Sequence, residues 1–186
     1  MSKRIPLTKG QHAIVSDEDY DHLVSIGRWC HSNSGYAVHY WINDNGKHKT
    51  LFMHRAIMAR MLGHPIASFQ VDHINRDRLD NRRKNLRLAT RSQNQANKGR
   101  QRNNSSGFKG VSWSRGKYEA RIRYNGKRIN LGRFECSEAA ANIYDAASRL
   151  LYGEFAGLNF PDQIPPSYIV QQLEKIMSKR KQIAPE

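Results

Sequence analysis

One eight-residue stretch and the turn after it constrain the fold more than any other part of the chain. Residues 117–124, KYEARIRY, alternate polar and apolar side chains, which is typical of a strand that buries one face. Asn125-Gly126 favours a two-residue hairpin turn, and such a turn fixes the register of the two strands it joins. The predicted opposite pairs are Ile122–Ile129 and Ala120–Leu131 on an apolar face, and Arg123–Arg128, Arg121–Asn130 and Glu119–Gly132 on a polar face.

The polar face of this hairpin carries arginine opposite arginine, an arrangement that destabilises a sheet. A phosphate backbone lying over the sheet would offset the repulsion, whereas a solvated sheet edge, the other interpretation, would not. The chain has a formal net charge of +15, and residues 98–133 hold 11 basic side chains against one acidic side chain. This concentration of charge favours a polyanion as the partner.

Composition argues against several other classes of protein. No apolar run approaches 18 residues, so we expect no membrane span, and the N-terminus lacks the apolar segment of a signal peptide. The two cysteines, Cys30 and Cys136, are too few and too far apart in sequence for a disulfide framework or a cysteine zinc site. We therefore expect a cytoplasmic protein with no membrane partner and no small-molecule cofactor.

Hydrophobic periodicity, turn residues and helix caps predict an α+β protein in several parts. The predicted parts are an N-terminal helix-and-hairpin region (1–52), a central module (53–98), a linker (99–107), a basic sheet-and-helix domain (108–160) and a C-terminal helix and tail (161–186). The predicted helices run from a cap at Ser16 to Gly27, over 54–62 and 92–98, from an N-cap at Ser137 to 151, and over 168–180. The predicted strands of the first two parts are 36–42, 50–53, 69–71 and 86–89.

Asp72-His73, Asn85 and Asn94 form a constellation with the chemistry of a one-metal phosphodiesterase. The carboxylate of Asp72 and the amide oxygen of Asn94 are ligands for a hard divalent cation, and a neutral His73 can take a proton from water near neutral pH. Because neighbouring side chains on an ideal strand point to opposite faces, Asp72 and His73 can converge only where the strand ends or bulges. We therefore expect a ββα unit, in which Leu86–Ala89 is the return strand and the next helix carries Asn94.

This constellation resembles the HNH endonuclease family, in the branch whose last signature residue is asparagine. The matching residues are Asp72-His73, Asn81, Asn85-Leu86 and the Asn94 of Thr90-Arg91-Ser92-Gln93-Asn94, with Met53-His54-Arg55 upstream. The resemblance implies a ββα-metal module in which Asp72 and Asn94 hold one divalent ion, Mg²⁺ or Mn²⁺. It also implies that His73 is the general base and that Asn85 orients the loop around it.

Other interpretations of this region are weaker. An EF-hand calcium loop would need glycine where Asp77 stands, and arginines crowd the stretch. Asn75, Asp77 and Asp80 are common turn residues, which explains them without a metal. His54 is interpreted as a packed helix histidine or a phosphate contact, outside the catalytic set.

The basic domain resembles the AP2 (ERF-type) DNA-binding domain. The matching pieces are Phe108-Lys109-Gly110-Val111, Ile122-Arg123, Leu131-Gly132-Arg133-Phe134, residues 138–147 and Gly157-Leu158-Asn159-Phe160. The resemblance implies a three-stranded antiparallel sheet that packs on one helix and enters the major groove of DNA. The predicted DNA-binding residues are Lys109, Arg115, Arg121, Arg123, Arg128 and Asn130.

Some positions of this domain depart from the plant members of that family. Ser112, Arg121 and Asn130 stand where those members usually carry Arg, Glu and Trp, so their target sequence is not carried over. The helix is expected to cover the sheet with one apolar face, made by Ala140, Ile143, Ala147 and Leu150.

These features together predict a metal-dependent endonuclease that cuts double-stranded DNA and selects its site with the AP2-like domain. The combination is similar to homing-type HNH endonucleases of phages and mobile elements. The alternative from another class is a non-catalytic, sequence-specific DNA-binding regulator with an inactive HNH module, which an intact set of signature residues disfavours. An RNA-binding protein is a weaker alternative, because no aromatic residues for base stacking stand on the basic face.

Overall fold

The computed structural model describes residues 1–178 and has the mixed α+β class that the sequence predicts. The chain divides into two compact units, residues 1–91 and the part of the chain from Ser92 onward. Each unit has its own hydrophobic core. Among the described residues, no helix has the length and apolar character needed to cross a membrane.

The first sheet of the N-terminal unit joins residues that are far apart in sequence. It contains β1 (Ser2–Pro6) and β2 (His12–Ser16), which pair antiparallel, and the two-residue strand β7 (Asp80–Asn81). β7 runs parallel to β2, with Asp80 opposite Ile14. None of these strands is predicted from the sequence, and β7, with two residues, is too short to show a period of two.

The unit contains two further sheets. A meander is formed by β3 (Cys30–His31), β4 (Ala37–Ile42) and β5 (His48–Phe52), and β4 and β5 form the hairpin predicted around Asn45-Gly46. The last sheet is the antiparallel pair β6 (Gln70–His73) and β8 (Leu86–Ala89). β6 extends through Asp72-His73, two residues beyond the predicted strand.

Two helices complete the N-terminal unit. α1 (Asp17–Ile26) ends at Gly27 as predicted, and α2 (Met53–Leu62) ends at Gly63, whose φ of 74° is a left-handed conformation that glycine adopts readily. Ser16 is the N-cap residue of α1, as predicted, but its hydroxyl makes no capping hydrogen bond to the helix. Ser16 Oγ instead accepts a hydrogen bond of 3.0 Å from the backbone N–H of Arg83.

The core of the N-terminal unit is filled from both helices and all three sheets. Its members include Ile5, Val15, Leu23, Trp29, Ile57, Val71 and Leu86. The Trp29 ring is 2% exposed, and its Nε1 donates a 2.8 Å hydrogen bond to the carbonyl of Leu23, so its polar atom is satisfied inside the core.

The second unit packs a three-stranded antiparallel sheet on one helix. A short helix, α3 (Arg91–Asn97), leads into it, and the sheet has the order β11 (Lys127–Phe134), β10 (Lys117–Tyr124), β9 (Val111–Ser114). α4 (Ser137–Tyr152) covers the apolar face of this sheet, and α5 (Ser167–Ser178) adds Ile169 and Leu173 to the same core. The predicted last helix extends to 180, and residues 179–180 lie outside the described residues.

The register predicted for the β10–β11 hairpin holds next to the turn and fails beyond it. The pairs Ile122–Ile129, Arg123–Arg128 and Arg121–Asn130 are confirmed. The pairs Ala120–Leu131 and Glu119–Gly132 are wrong, because a β-bulge between Ala120 and Arg121 shifts the register by one residue. Ala120 therefore lies opposite Gly132, and Glu119 opposite Arg133.

α4 begins and packs slightly differently from the prediction. Its N-cap is Cys136, whose Sγ accepts a hydrogen bond from Ala139 N at 3.4 Å, so the prediction of a Ser137 cap is wrong. Leu150 is 54% exposed and Leu151 is buried. At about 100° per residue, position 151 lies only about 20° around the helix from position 140, whereas position 150 lies about 80° to the other side.

The face of α4 toward the sheet makes one very close approach. The ring of Tyr144 lies against Gly110, where an added Cβ would be 2.0 Å from Tyr144 Cδ2 and 2.9 Å from the carbonyl oxygen of Arg121. Gly110 also has a φ of 74°, so both space and backbone conformation require glycine at this position.

Candidate active site and basic sheet face

Asp72 and His73 are the last two residues of β6, and both are buried. On the partner strand, Asp72 lies opposite Arg87 and His73 opposite Leu86. The strand ends at His73, where the sequence analysis expects the pair to converge, and the chain turns away as the N–H of Arg76 donates to the carbonyl of His73 at 2.9 Å. The carboxylate and the imidazole thus stand on consecutive residues at the mouth of the 74–85 loop.

Asn85 braces this loop from its far end. Its Oδ1 accepts the N–H of Asn75 at 3.0 Å, and its Nδ2 donates to Asn75 Oδ1 at 2.9 Å and to the carbonyl of Asp80 at 2.7 Å. A backbone hydrogen bond from Ile74 N to the carbonyl of Asn85 (2.9 Å) closes the loop. The Asn85 side chain is thus hydrogen-bonded to the loop at Asn75 and at Asp80.

Asn81 connects His73 to the N-terminal sheet. It is fully buried in β7, and its Oδ1 lies 3.4 Å from His73 Nε2. Burial lowers the pKa of His73, against the opposing effect of this hydrogen bond and of nearby carboxylates. The imidazole is therefore held in the neutral form that a general base needs.

His54 lies beside His73, although the sequence analysis leaves it outside the catalytic set. The two rings meet edge to face with centroids 5.1 Å apart, and the rings of Tyr36 and Phe52 lie 5.0 and 5.5 Å from His54. His54 is 7% exposed, and its Nδ1 is buried without a hydrogen-bond partner among the described residues. Burial, with a smaller effect from His73, lowers the pKa of His54 to about 3, so this ring also stays neutral.

Asp72 forms an ion pair that the sequence analysis does not anticipate. Arg87 Nε and Nη2 donate to Asp72 Oδ2 at 3.0 and 2.9 Å, and both side chains are largely buried. The sequence could have indicated this ion pair, because Arg87 lies opposite Asp72 once β6 and β8 are paired. The guanidinium compensates a carboxylate that would otherwise be costly to bury.

The predicted second metal ligand, Asn94, lies on α3 and belongs to the second unit. Within residues 1–178, no three His, Cys, Asp or Glu side chains are grouped to hold a metal ion. The two residues predicted to bind the ion, Asp72 and Asn94, each carry a hard oxygen donor, a carboxylate and a carboxamide. That chemistry suits a hard cation such as Mg²⁺, which keeps several water ligands and needs few from the protein.

The N-terminal residues hold the 74–85 loop in place through one arginine. Arg83 Nε and Nη2 donate to the two oxygens of Asp19, both at 2.7 Å, and Asp19 is completely buried at the start of α1. Arg83 Nη1 also lies 2.8 Å from Glu18 Oε2. Together with the β2–β7 pairing, these contacts make residues 12–26 a platform for the candidate active site.

In the second unit, four of the six predicted DNA-binding residues share the sheet face opposite α4. They are Arg121, Arg123, Arg128 and Asn130. Arg115 lies in the β9–β10 turn with a φ of 50°. Lys109 is directed elsewhere, because its Nζ donates to the carbonyl of Ala96 at the end of α3 and lies 6.0 Å from the centre of the Tyr144 ring.

Glu119 organises this face, and the sequence analysis does not assign it a role. It accepts hydrogen bonds from Arg121 Nη2 and, at 2.6 Å, from Asn130 Nδ2, and it is 6% exposed. The hydrogen bond from Arg121 lowers the pKa of Glu119 the most, and Arg133 and Asn130 lower it by smaller amounts. Alternation along β10 places Glu119 on the same face as Arg121, and the β-bulge sets Arg133 opposite Glu119.

Comparison with known proteins relates the two parts of the chain to different groups. The sequence model described as HNH endonuclease matches residues 51–96. An uncharacterized HNH endonuclease of Acanthamoeba polyphaga mimivirus is 38% identical over 153 residues, which cover 81% of this chain and 76% of that protein. Protein 3.8 of Escherichia phage T7 is 34% identical over 90 residues, or 47% of this chain and 74% of that protein.

A third similarity is confined to about a third of the chain. The dehydration-responsive element-binding protein 2D of Arabidopsis thaliana is 41% identical over 70 residues, which cover 36% of this chain and 34% of the plant protein. No solved structure matches the chain with significance.

Proposed function

This chain belongs to the HNH endonuclease family, and we propose that it hydrolyses phosphodiester bonds in double-stranded DNA with His73 as the general base. The observation that carries the proposal is the buried Asp72-His73 pair at the end of β6, held by the loop that Asn85 and Asn81 brace. In this proposal His73 takes a proton from the attacking water. Asn81 and Asn85 fix the ring and the loop, so that the base does not have to reorganise during the reaction.

The proposed cofactor is one divalent ion, Mg²⁺ or Mn²⁺, held by Asp72 and Asn94. When bound, such an ion stabilises the charge that develops on the phosphate and on the leaving oxygen. The donor set supports it, because a carboxylate and a carboxamide are hard oxygen ligands. Arg87 hydrogen-bonds to Asp72 and orients its carboxylate.

We further propose that the β9–β11 sheet holds the duplex and contributes to site selection. Its exposed face presents Arg121, Arg123, Arg128 and Asn130, and Glu119 fixes two of these side chains in place. Fixed arginine and asparagine side chains are suited to reading guanine and adenine in the major groove. The partial similarity to plant DNA-binding proteins supports the same assignment.

The test separates catalysis from DNA binding. His73→Ala and Asn94→Ala should each lose nicking of supercoiled plasmid in Mg²⁺ while retaining duplex binding in a gel-shift assay. His64→Ala, at an exposed histidine of the same unit, is the matched control and should nick like the wild type. Full activity of His73→Ala would refute the assigned base.

The alternative function, a regulator that binds DNA without cutting it, predicts a different result. In that case the wild type binds duplex DNA tightly and gives no metal-dependent nicking in either Mg²⁺ or Mn²⁺. Complete loss of nicking in EDTA, with restoration by added metal, would support the endonuclease and exclude the regulator.

A further inference from the structure

The outer half of the β4–β5 hairpin exposes large apolar side chains on a two-stranded ribbon. Tyr40 is 54% exposed, Trp41 42% and Ile42 61%, and the β5 residues opposite them, His48 to Thr50, are also exposed. We call residues 39–50 the wing. A contiguous exposed apolar patch on a soluble protein normally marks a binding surface.

The two faces of the wing differ in character. Trp41 lies opposite Lys49, and its ring stacks on His39 at 6.0 Å and 17°, so this face is aromatic and basic. Tyr40 and Ile42 alternate with these residues and form the other, mainly apolar face. A ribbon with two usable faces can contact both walls of a groove.

The base of the wing lies at the candidate active site. Tyr36 precedes β4 and Phe52 ends β5, and both rings contact His54, which in turn contacts His73. The six residues of β4 extend about 20 Å at about 3.3 Å per residue. A duplex that brings a phosphate to His73 therefore comes close to the base of the wing, whose length equals about six base pairs at 3.4 Å each.

The charge of the wing favours nucleic acid over a protein partner. Lys47 and Lys49 are exposed near its tip, and Asp44 is its only carboxylate. Lysine is depleted at protein–protein interfaces and enriched where phosphates are bound. A two-stranded ribbon also fits the major groove, and exposed apolar side chains can wedge against bases and sugars.

We propose that the wing is a second DNA-contacting element, which lies along the duplex beside the scissile phosphate. Tyr40 and Ile42 pack against bases and sugars, and Lys47 and Lys49 contact phosphates. The inference rests on the proposed function, because it places the wing by its distance from His73.

The test uses the full chain and a short mixed-sequence DNA duplex in EDTA, where no cleavage occurs. For the double variant Lys47→Gln/Lys49→Gln, the slope of log affinity against log salt should fall by about 1.8, or about 0.9 for each lost phosphate contact. For Tyr40→Ser/Ile42→Ser, affinity should fall about tenfold with the salt slope unchanged, because apolar burial and not charge is removed.

Matched controls lie in the second unit. Ile164→Ser, at a residue 92% exposed, and Lys175→Gln, on the exposed side of α5, should change neither affinity nor slope. Wild-type affinity and slope in both wing variants would overturn the proposal. Normal DNA binding with a changed sedimentation coefficient in the Tyr40/Ile42 variant would also overturn it, and would identify the wing as a protein interface.

The two proposals fail in distinguishable ways. If the wild type gives no metal-dependent nicking of plasmid, the endonuclease function is wrong, and the wing is still judged by its binding and salt slope in EDTA. If the wild type nicks plasmid and both wing variants bind the duplex normally, only the wing proposal is wrong.

Discussion

Replacement of His54 by phenylalanine tests whether a buried neutral imidazole makes the N-terminal unit sensitive to acid. The native pKa of His54 is lowered to about 3 by burial, from 6.5 for a solvated imidazole. The unfolded chain therefore binds a proton at a higher pH than the native protein. Stability contributed by the neutral ring is fully present above pH 6.5 and is lost progressively as the pH falls toward about 3.

The size of the effect follows from the two pKa values. At pH 5 the unfolded imidazole is almost fully protonated, whereas the native one is neutral. Because pH 5 lies 1.5 units below the unfolded pKa of 6.5, protonation stabilises the unfolded chain by about 2 kcal/mol, at about 1.4 kcal/mol for each unit. At pH 7 the cost is only about 0.2 kcal/mol. For a unit of this size, 2 kcal/mol corresponds to a fall in Tm of about 8–16 °C.

Phenylalanine keeps the ring packed against His73 and Tyr36 and removes the titration. Between pH 7 and pH 5, the free energy of unfolding of the wild type should fall by about 2 kcal/mol more than that of His54→Phe. Urea unfolding followed by tryptophan fluorescence measures this, since the buried Trp29 reports on the N-terminal unit. His64→Phe, at an exposed position, is the control and should follow the wild type.

Parallel stability curves for the wild type and His54→Phe between pH 7 and pH 5 would refute the reasoning. They would mean that His54 is protonated in the native protein, with its Nδ1 hydrogen-bonded to a group or water at the site. A constant offset between the two curves would add only that phenylalanine packs less well than histidine at this position, and it would still refute the acid effect.

Three further predictions concern stability and DNA binding. Arg128→Ala relieves the repulsion with Arg123 across the hairpin. In a melting curve without DNA, it should therefore raise the free energy of unfolding by about 0.2–1 kcal/mol. In a gel shift, the same variant should bind duplex DNA more weakly. Gly110→Ala places a Cβ inside a tyrosine ring at a positive φ and should cost roughly 2–5 kcal/mol in urea unfolding. Arg87→Ala removes the ion pair between Arg87 and the largely buried carboxylate of Asp72 and should cost about 3 kcal/mol. Added Mg²⁺ should then raise the Tm of this variant more than that of the wild type, and equal shifts would argue against a cation at Asp72.

The elements set by local sequence could be predicted well. Asn125-Gly126 fixes the β10–β11 turn, so the pairs next to it follow directly. Asp72-His73 is expected at a strand end, and β6 ends at His73. These features depend on residues a few positions apart, whose preferences a sequence reveals.

Features that depend on distant residues could not be predicted in the same way. β7 has two residues and no periodicity, so neither its pairing with β2 nor the approach of Asn81 to His73 is visible in the sequence. Ser16 has the signature of a helix cap, yet tertiary contact with Arg83 takes its hydroxyl. The β-bulge between Ala120 and Arg121 likewise shifts the register away from the one that the turn predicts, so Glu119 lies opposite Arg133 and not Gly132.

The parallel pairing of β7 with β2 has consequences for how the protein folds and for whether its nuclease segment can be transferred to another protein. Ile14 and Asp80 are about 66 residues apart in sequence, so this contact closes a long loop and should form late in folding. Residues 51–96, the family's portion of the chain, lack β2 and the Asp19 that pairs with Arg83. A graft of that segment alone into another protein should therefore carry its signature residues without a folded catalytic loop, and a transplantable nuclease would have to begin at the first strand.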